Sequence, residues 1–168
     1  MGIFPAGGPA KTSGAPAPAG GETSIEDTII KALRDYFQGC PLTQGGTLNV
    51  DSLADQDAAY SIDPVEGPQV LQQYVGGSSL RQYTFALRSA ASRGEVQQNL
   101  AGSGFSERLG AWMEQQTRAR ALPALGGGRT PYKLEAVSTG HLFETGPDIG
   151  KYEIQCRLVY LQKGERTL

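Results

Sequence analysis

The clearest pattern in the chain is an alternation of period two from Lys151 to Gln162. Tyr152, Ile154, Cys156, Leu158 and Tyr160 alternate with Glu153, Gln155, Arg157, Val159 and Leu161. Successive side chains of a strand point to opposite faces, so this run predicts a strand with one apolar and one mostly polar face. Strands of that kind build an antiparallel sheet covered on a single side. Leu80 to Ala90 repeats the pattern, with Tyr83, Phe85 and Leu87 on one face and Gln82 and Thr84 on the other. Together with Val70 to Val75 it predicts a hairpin joined by Gly76-Gly77-Ser78-Ser79. Leu48 and Val50, then Tyr60 and Ile62, mark shorter strands separated by a turn at Asp55-Gln56-Asp57, and Pro64 closes the second. Tyr132 to Glu144 and Lys151 to Gln162 form a last hairpin around Thr145 to Gly150.

Two segments carry helical periodicity instead. Ile25, Ile29, Leu33, Tyr36 and Phe37 recur along one helix face. Thr23-x-x-Glu26 and Ser24-x-x-Asp27 have capping-box spacing at its start, and Gly39 with Pro41 ends it. From Glu95 to Arg120 the stripe changes phase: Val96 and Leu100 lie on one side, Phe105, Leu109, Trp112 and Gln116 on nearly the opposite one. Gly102-Ser103-Gly104 sits at the slip, which predicts two helices with a kink or turn between them. Leu122-Pro123 ends the region, and Gly126-Gly127-Gly128 reads as a flexible connector. The order helix, strands, hairpin, helices, hairpin predicts an α+β domain, a single antiparallel or mixed sheet with helices packed on one face and a projecting hairpin.

Composition narrows this picture. A chain of 168 residues suits one domain with a substantial core. Residues 1–23 are an Ala/Gly/Pro-rich arm whose large apolar side chains are Ile3 and Phe4, too few to offset the cost of ordering it alone. The domain then runs over residues 24–163, with a short tail at 164–168. A net charge of -2 and a pI near 5.4 argue against a nucleic-acid binder held by phosphate contacts. Neither a membrane-spanning apolar run nor a signal peptide is expected. Met1-Gly2 suggests myristoylation, but Ala6 stands where Ser or Thr is wanted. Cys40 and Cys156 are too few for a disulfide framework and read as free thiols in a reducing compartment.

Candidate chemistry is sparse. His141 is the sole histidine, with no zinc-spaced cysteine pair near it and no nucleophile elbow in the chain. Gly126-Gly127-Gly128-Arg129-Thr130 echoes a phosphate loop, yet Pro123 stands where the pattern needs glycine and Arg129 where it needs lysine. Asp55 and Asp57 lack the glycine and distal glutamate of a calcium loop. Arg118 and Arg120 close a helix, where cations complement the macrodipole. No catalytic, metal-binding or cofactor-binding residue is therefore assigned. The remaining features are those of an interaction protein. Candidate contact residues are Ile3 and Phe4 in the arm, Gln72, Tyr74, Arg81 and Gln82 in the hairpin, and Glu153, Gln155 and Arg157 on the polar face of the last strand.

Three stretches carry a resemblance: SLRQYTFALRSAAS (Ser79 to Ser92), VQQNLAGSGFSERLGAWMEQQ (Val96 to Gln116) and LEAVSTGHLFETGPDIGKYEIQCRLVYLQK (Leu134 to Lys163). With the first helix and YSIDPV (Tyr60 to Val65) they cover most of residues 24–163, and residues 1–23 lie outside them. These stretches resemble a family of small neck and tail proteins of long-tailed bacteriophages and prophages, often labelled minor capsid proteins. The element order is similar to that of tail terminator proteins. The resemblance implies a non-enzymatic virion protein at the head-tail joint, found in the host cytoplasm during assembly. It implies a homo-oligomeric ring, a hexamer in the terminators, whose partners are the tail tube protein and the head connector or stopper. Genomic DNA would pass through the lumen without sequence-specific binding. A head-completion or connector protein is the alternative within the class, and a small enzyme using His141 with a carboxylate such as Glu144 is the rival outside it. Some relatives carry a chloramphenicol-resistance label, but STGHLFE around His141 lacks the HHxxxDG setting that such an acetyltransferase needs.

Overall fold

The computed structural model describes residues 28–43, 46–51, 53, 59–92, 103–138, 140–145 and 148–164. Its first helix, α1, is Ile29–Gln38. Thr28 is extended and caps it, its hydroxyl accepting from the Lys31 N–H at 3.4 Å. The described helix therefore starts later than Thr23 or Ser24, both of which lie outside the described residues together with the arm. Gly39 closes α1 as expected, its N–H donating to the Tyr36 carbonyl while the Cys40 N–H donates to that of Phe37. The second helix, α2, is Ser103–Arg118, so the predicted phase break coincides with its first residues. Val96 and Leu100 fall outside the description. So does the turn expected at Asp55 to Asp57.

Among the described residues seven strands form one sheet: β1 (Thr47–Val50), β2 (Ala59–Pro64), β3 (Val70–Gln73), β4 (Ser79–Ser92), β5 (Arg129–Ala136), β6 (His141–Thr145) and β7 (Ile149–Gln162). The spine is the antiparallel pair β4 and β7, in register from Ser79 opposite Gln162 to Ser92 opposite Ile149. β2 and β3 share the outer edge of β4, β2 along Phe85 to Ala90 and β3 along Ser79 to Arg81. β5 and β6 likewise share the outer edge of β7. β1 runs parallel to β2, so the sheet is mixed rather than purely antiparallel.

Alternation decides which face is covered. Tyr83 lies opposite Leu158, Phe85 opposite Cys156 and Leu87 opposite Ile154, with Ile62 flanking Leu87 and Leu134 flanking Leu158. These side chains share one core with Leu33 and Phe37 of α1 and Leu109 and Met113 of α2. Phe37 bridges the layers, its ring centroid 5.9 Å from Phe85 and 5.8 Å from Trp112. At such spacings tilted and edge-on aromatic pairs add about 0.5–1.5 kcal/mol to the burial itself. The fold is thus α+β, with the two described helices on one face of the sheet.

Two local features differ from the sequence reading. The arm predicted over Tyr132 to Glu144 is broken into β5 and β6. From Ala136 to His141 the chain advances five residues while β7 advances three, from Cys156 to Glu153. The excess is tied down, because the N–H groups of Val137 and Ser138 both donate to the Gln155 carbonyl and the Ser138 hydroxyl accepts from the Gln155 N–H. The triple glycine is a fixed turn rather than a loose connector. All three residues have φ between 63° and 71°. Gly128 and Gly127 offer their carbonyls to the Lys163 N–H and the Gln162 side chain.

Candidate functional site

Among the described residues, the β3–β4 hairpin presents the most exposed apolar surface. From Pro68 to Leu80 the sequence holds no charged residue. Every residue of β3 is exposed, and Leu71, Tyr74 and Val75 are 43%, 41% and 109% accessible. The turn is closed by the Tyr74 N–H donating to the Ser78 carbonyl at 2.9 Å and by Gly77 at φ 92°. Its base is held as well. The Gln82 side chain donates to the Pro68 carbonyl at 2.7 Å, and the Gly164 N–H donates to the Ser78 hydroxyl at 3.3 Å. A Cβ at Gly164 would collide with the Gly77 backbone, so β7 runs out against the turn by close backbone approach. β3 pairs with β4 alone, leaving one strand edge without a ladder partner among the described strands. An uncharged, proline-free edge is what folded proteins ordinarily cover or interrupt.

The opposite edge is built differently. β5 carries Pro131, Lys133 and Glu135, and the Thr117 hydroxyl lies 3.1 Å from both the N–H and the carbonyl of Leu134. Proline and that hydroxyl take up backbone positions a further strand would need. Tyr132 and Val137 nevertheless stand out from this edge.

The open face of the sheet is a ladder of paired charges. The Arg88 guanidinium reaches Asp63 at 3.1 Å and Glu153 at 2.8 Å. Arg157 pairs with Glu135 and donates to the Gln82 side-chain amide oxygen, Oε1, at 3.2 Å, and Lys133 meets Glu135 at 3.0 Å. Burial pushes the Glu135 carboxyl up, but hydrogen bonds from Lys133 and Arg157 outweigh it and hold the group below its ordinary range.

These positions sort the contact residues expected from sequence. Gln72 and Tyr74 stand on the exposed hairpin, and Gln155 is exposed on β7. Gln82 is buried, while Glu153 and Arg157 are engaged in the ladder. Arg81 points to the helix-covered side and lines a shallow cleft with Tyr83, Arg129, Tyr160 and the start of α1. Ile3 and Phe4 lie outside the described residues. Val70, Leu71, Val75, Tyr132 and Val137 were not singled out by sequence. Apolar residues in a strand give no sign of exposure until the strand is known to lie at an edge.

His141 is exposed at the start of β6, opposite Glu153 in the ladder. It lines none of the clefts at β2–β4, at the start of α1 or beside Ser106. Among the described residues no group of His, Cys, Asp and Glu is placed to hold a metal ion, and no helix is long and apolar enough to cross a membrane. Compared with protein-family models and with curated proteins, the chain finds no match.

Proposed function

We propose that this chain is a structural protein of a phage virion, a tail terminator whose copies close into a ring at the head-tail joint. The ring caps the tail tube on one side and docks the head connector on the other. The observation that carries the reading is the hairpin: an uncharged strand edge with its side chains in solvent, fixed at its base. A ring needs two different surfaces on each subunit, and a rigid apolar hairpin at a free edge supplies one of them. The quoted stretches that resemble neck and tail proteins give that surface its setting. A net charge of -2 also suits a conduit that DNA traverses without adhering.

The enzymatic rival draws no support from His141, which is exposed and lines none of the clefts named above. The test is mass in solution, alone and with purified tail tubes. A discrete ring that binds tube ends is expected, and a monomer that ignores tubes overturns the proposal. Electron microscopy of particles lacking the protein separates the two roles within the class. Overlong, uncapped tubes follow from loss of a terminator; normal tails beside unjoined heads would make it a connector instead.

A further inference from the structure

We infer that the ring contact runs head to tail, from the β3–β4 hairpin of one copy to the β5 edge of the next, with Tyr132 as the receiving anchor. The inference rests on the ring proposed above and adds which surfaces meet.

The exposed large apolar side chains of the described residues fall into two groups. Val70, Leu71, Tyr74 and Val75 belong to the hairpin, and Tyr132 and Val137 to the β5 edge. At this end of the sheet the strands run β3, β4, β7, β5, as Gln73 pairs with Ser79, Ser79 with Gln162 and Gln162 with Arg129. β3 and the start of β5, with Tyr132, therefore form opposite outer strands at this end, about 14 Å apart at strand spacings of about 4.8 Å, and Val137 lies farther along the β5 side, its N–H on the Gln155 carbonyl. No copy can bring its own two edges together, so a contact between the two edges takes a second copy. A hairpin-to-hairpin contact would cover one group and leave the other bare on both copies. Joining unlike edges covers both, and repeats.

The edges also differ in kind. β3 offers open backbone, whereas Pro131 and Thr117 close β5 against strand addition. The acceptor thus works through side chains, and an aromatic ring 68% exposed on a rigid strand is the group that anchors such contacts. Tyr132 is the extra residue of a β-bulge, flanked by Pro131 and Lys133, both of which pair with β7.

The test uses the full chain with and without tail tubes. Leu71→Glu spoils the donor edge and Tyr132→Glu the acceptor edge. Both positions are exposed, and circular dichroism checks that each variant keeps the fold. Each variant alone should lose the ring and run as a monomer. An equimolar mixture should form a heterodimer, because one intact hairpin and one intact β5 edge remain. Cross-linking gives a second measurement, since Cys40 and Cys156 are wholly buried and leave engineered thiols to react alone. A bismaleimide should join Val75→Cys chains to Tyr132→Cys chains but neither to itself. Cross-linking of Val75→Cys to itself, or a ring that survives Tyr132→Glu, overturns the head-to-tail pairing while leaving the ring intact. A wild-type chain that stays monomeric even on tail tubes overturns the ring and the pairing together.

Discussion

At the scale of single residues, the two cysteines show how position in the fold sets reactivity. Both are free and wholly buried, Cys40 just beyond α1 and Cys156 in the core opposite Phe85. Burial pushes both thiols up, Cys156 to about 12. The thiolate is the reactive form, so neither group should act as a nucleophile or redox sensor in the folded protein. Ellman's reagent at about pH 8 should titrate both thiols in denaturant and almost none in the native chain. The linkage has a definite sign. A folded pKa above the ordinary thiol value gives stability that is complete below that value and is lost as pH rises towards the folded one. Native thiols that label quickly would mean that the core opens often, and the packing around Phe37 and Phe85 would have to be reconsidered.

At the scale of elements, the end of α2 invites a stabilising change. The Ala121 N–H donates to the Gln116 carbonyl and the Arg120 N–H to that of Thr117. This is a Schellman closure, and its left-handed position is filled by Arg120 at φ 56°. The position that sequence assigned to macrodipole compensation is therefore one where a side chain costs energy. Arg120→Gly should raise stability by about 0.5–1 kcal/mol, roughly 1–4 °C in Tm, read by thermal melting. An unchanged or lower Tm would show that Arg120 makes up the strain elsewhere. Strand and helix identity was legible wherever one face is buried, as in β4, β7 and the Phe105–Leu109–Trp112 stripe. Three things were not. The β5–β6 break was hidden because apolar and polar residues keep alternating through Val137 and Ser138. The parallel run of β1 depends on which strand it meets, and a short alternation carries no direction. For the first helix the capping-box spacing pointed to Thr23 and Ser24, whereas Thr28 caps α1, and Lys31 three residues on gives it no capping box to be recognised by.

At the scale of the whole molecule, sequence indicated a hairpin with contact residues but chose the polar ones, and the pairing pattern explains why that choice was incomplete. Exposure of Val70 or Tyr132 follows from strand order across the sheet, which arises from contacts far apart in the chain. The same long-range order turns Gln82, Glu153 and Arg157, plausible rim residues in isolation, into parts of a ladder spanning β2, β4, β7 and β5. That ladder makes the open face sensitive to acid. Glu135, about three-quarters buried and held by Lys133 and Arg157, has its carboxyl below the ordinary range despite the opposing effect of burial. A depressed folded pKa gives stability that is complete above the unfolded value and is lost as pH falls through the folded one. Glu135→Gln should therefore cost about 0.5–1 kcal/mol near neutral pH, the size of a partly exposed ion pair. As the wild-type carboxylate is protonated the difference should vanish, so that urea midpoints measured from about pH 7 to about pH 3 converge. A gap of constant size across that range would mean that Glu135 contributes through shape and hydrogen bonding, and that the ladder is held by packing rather than by charge.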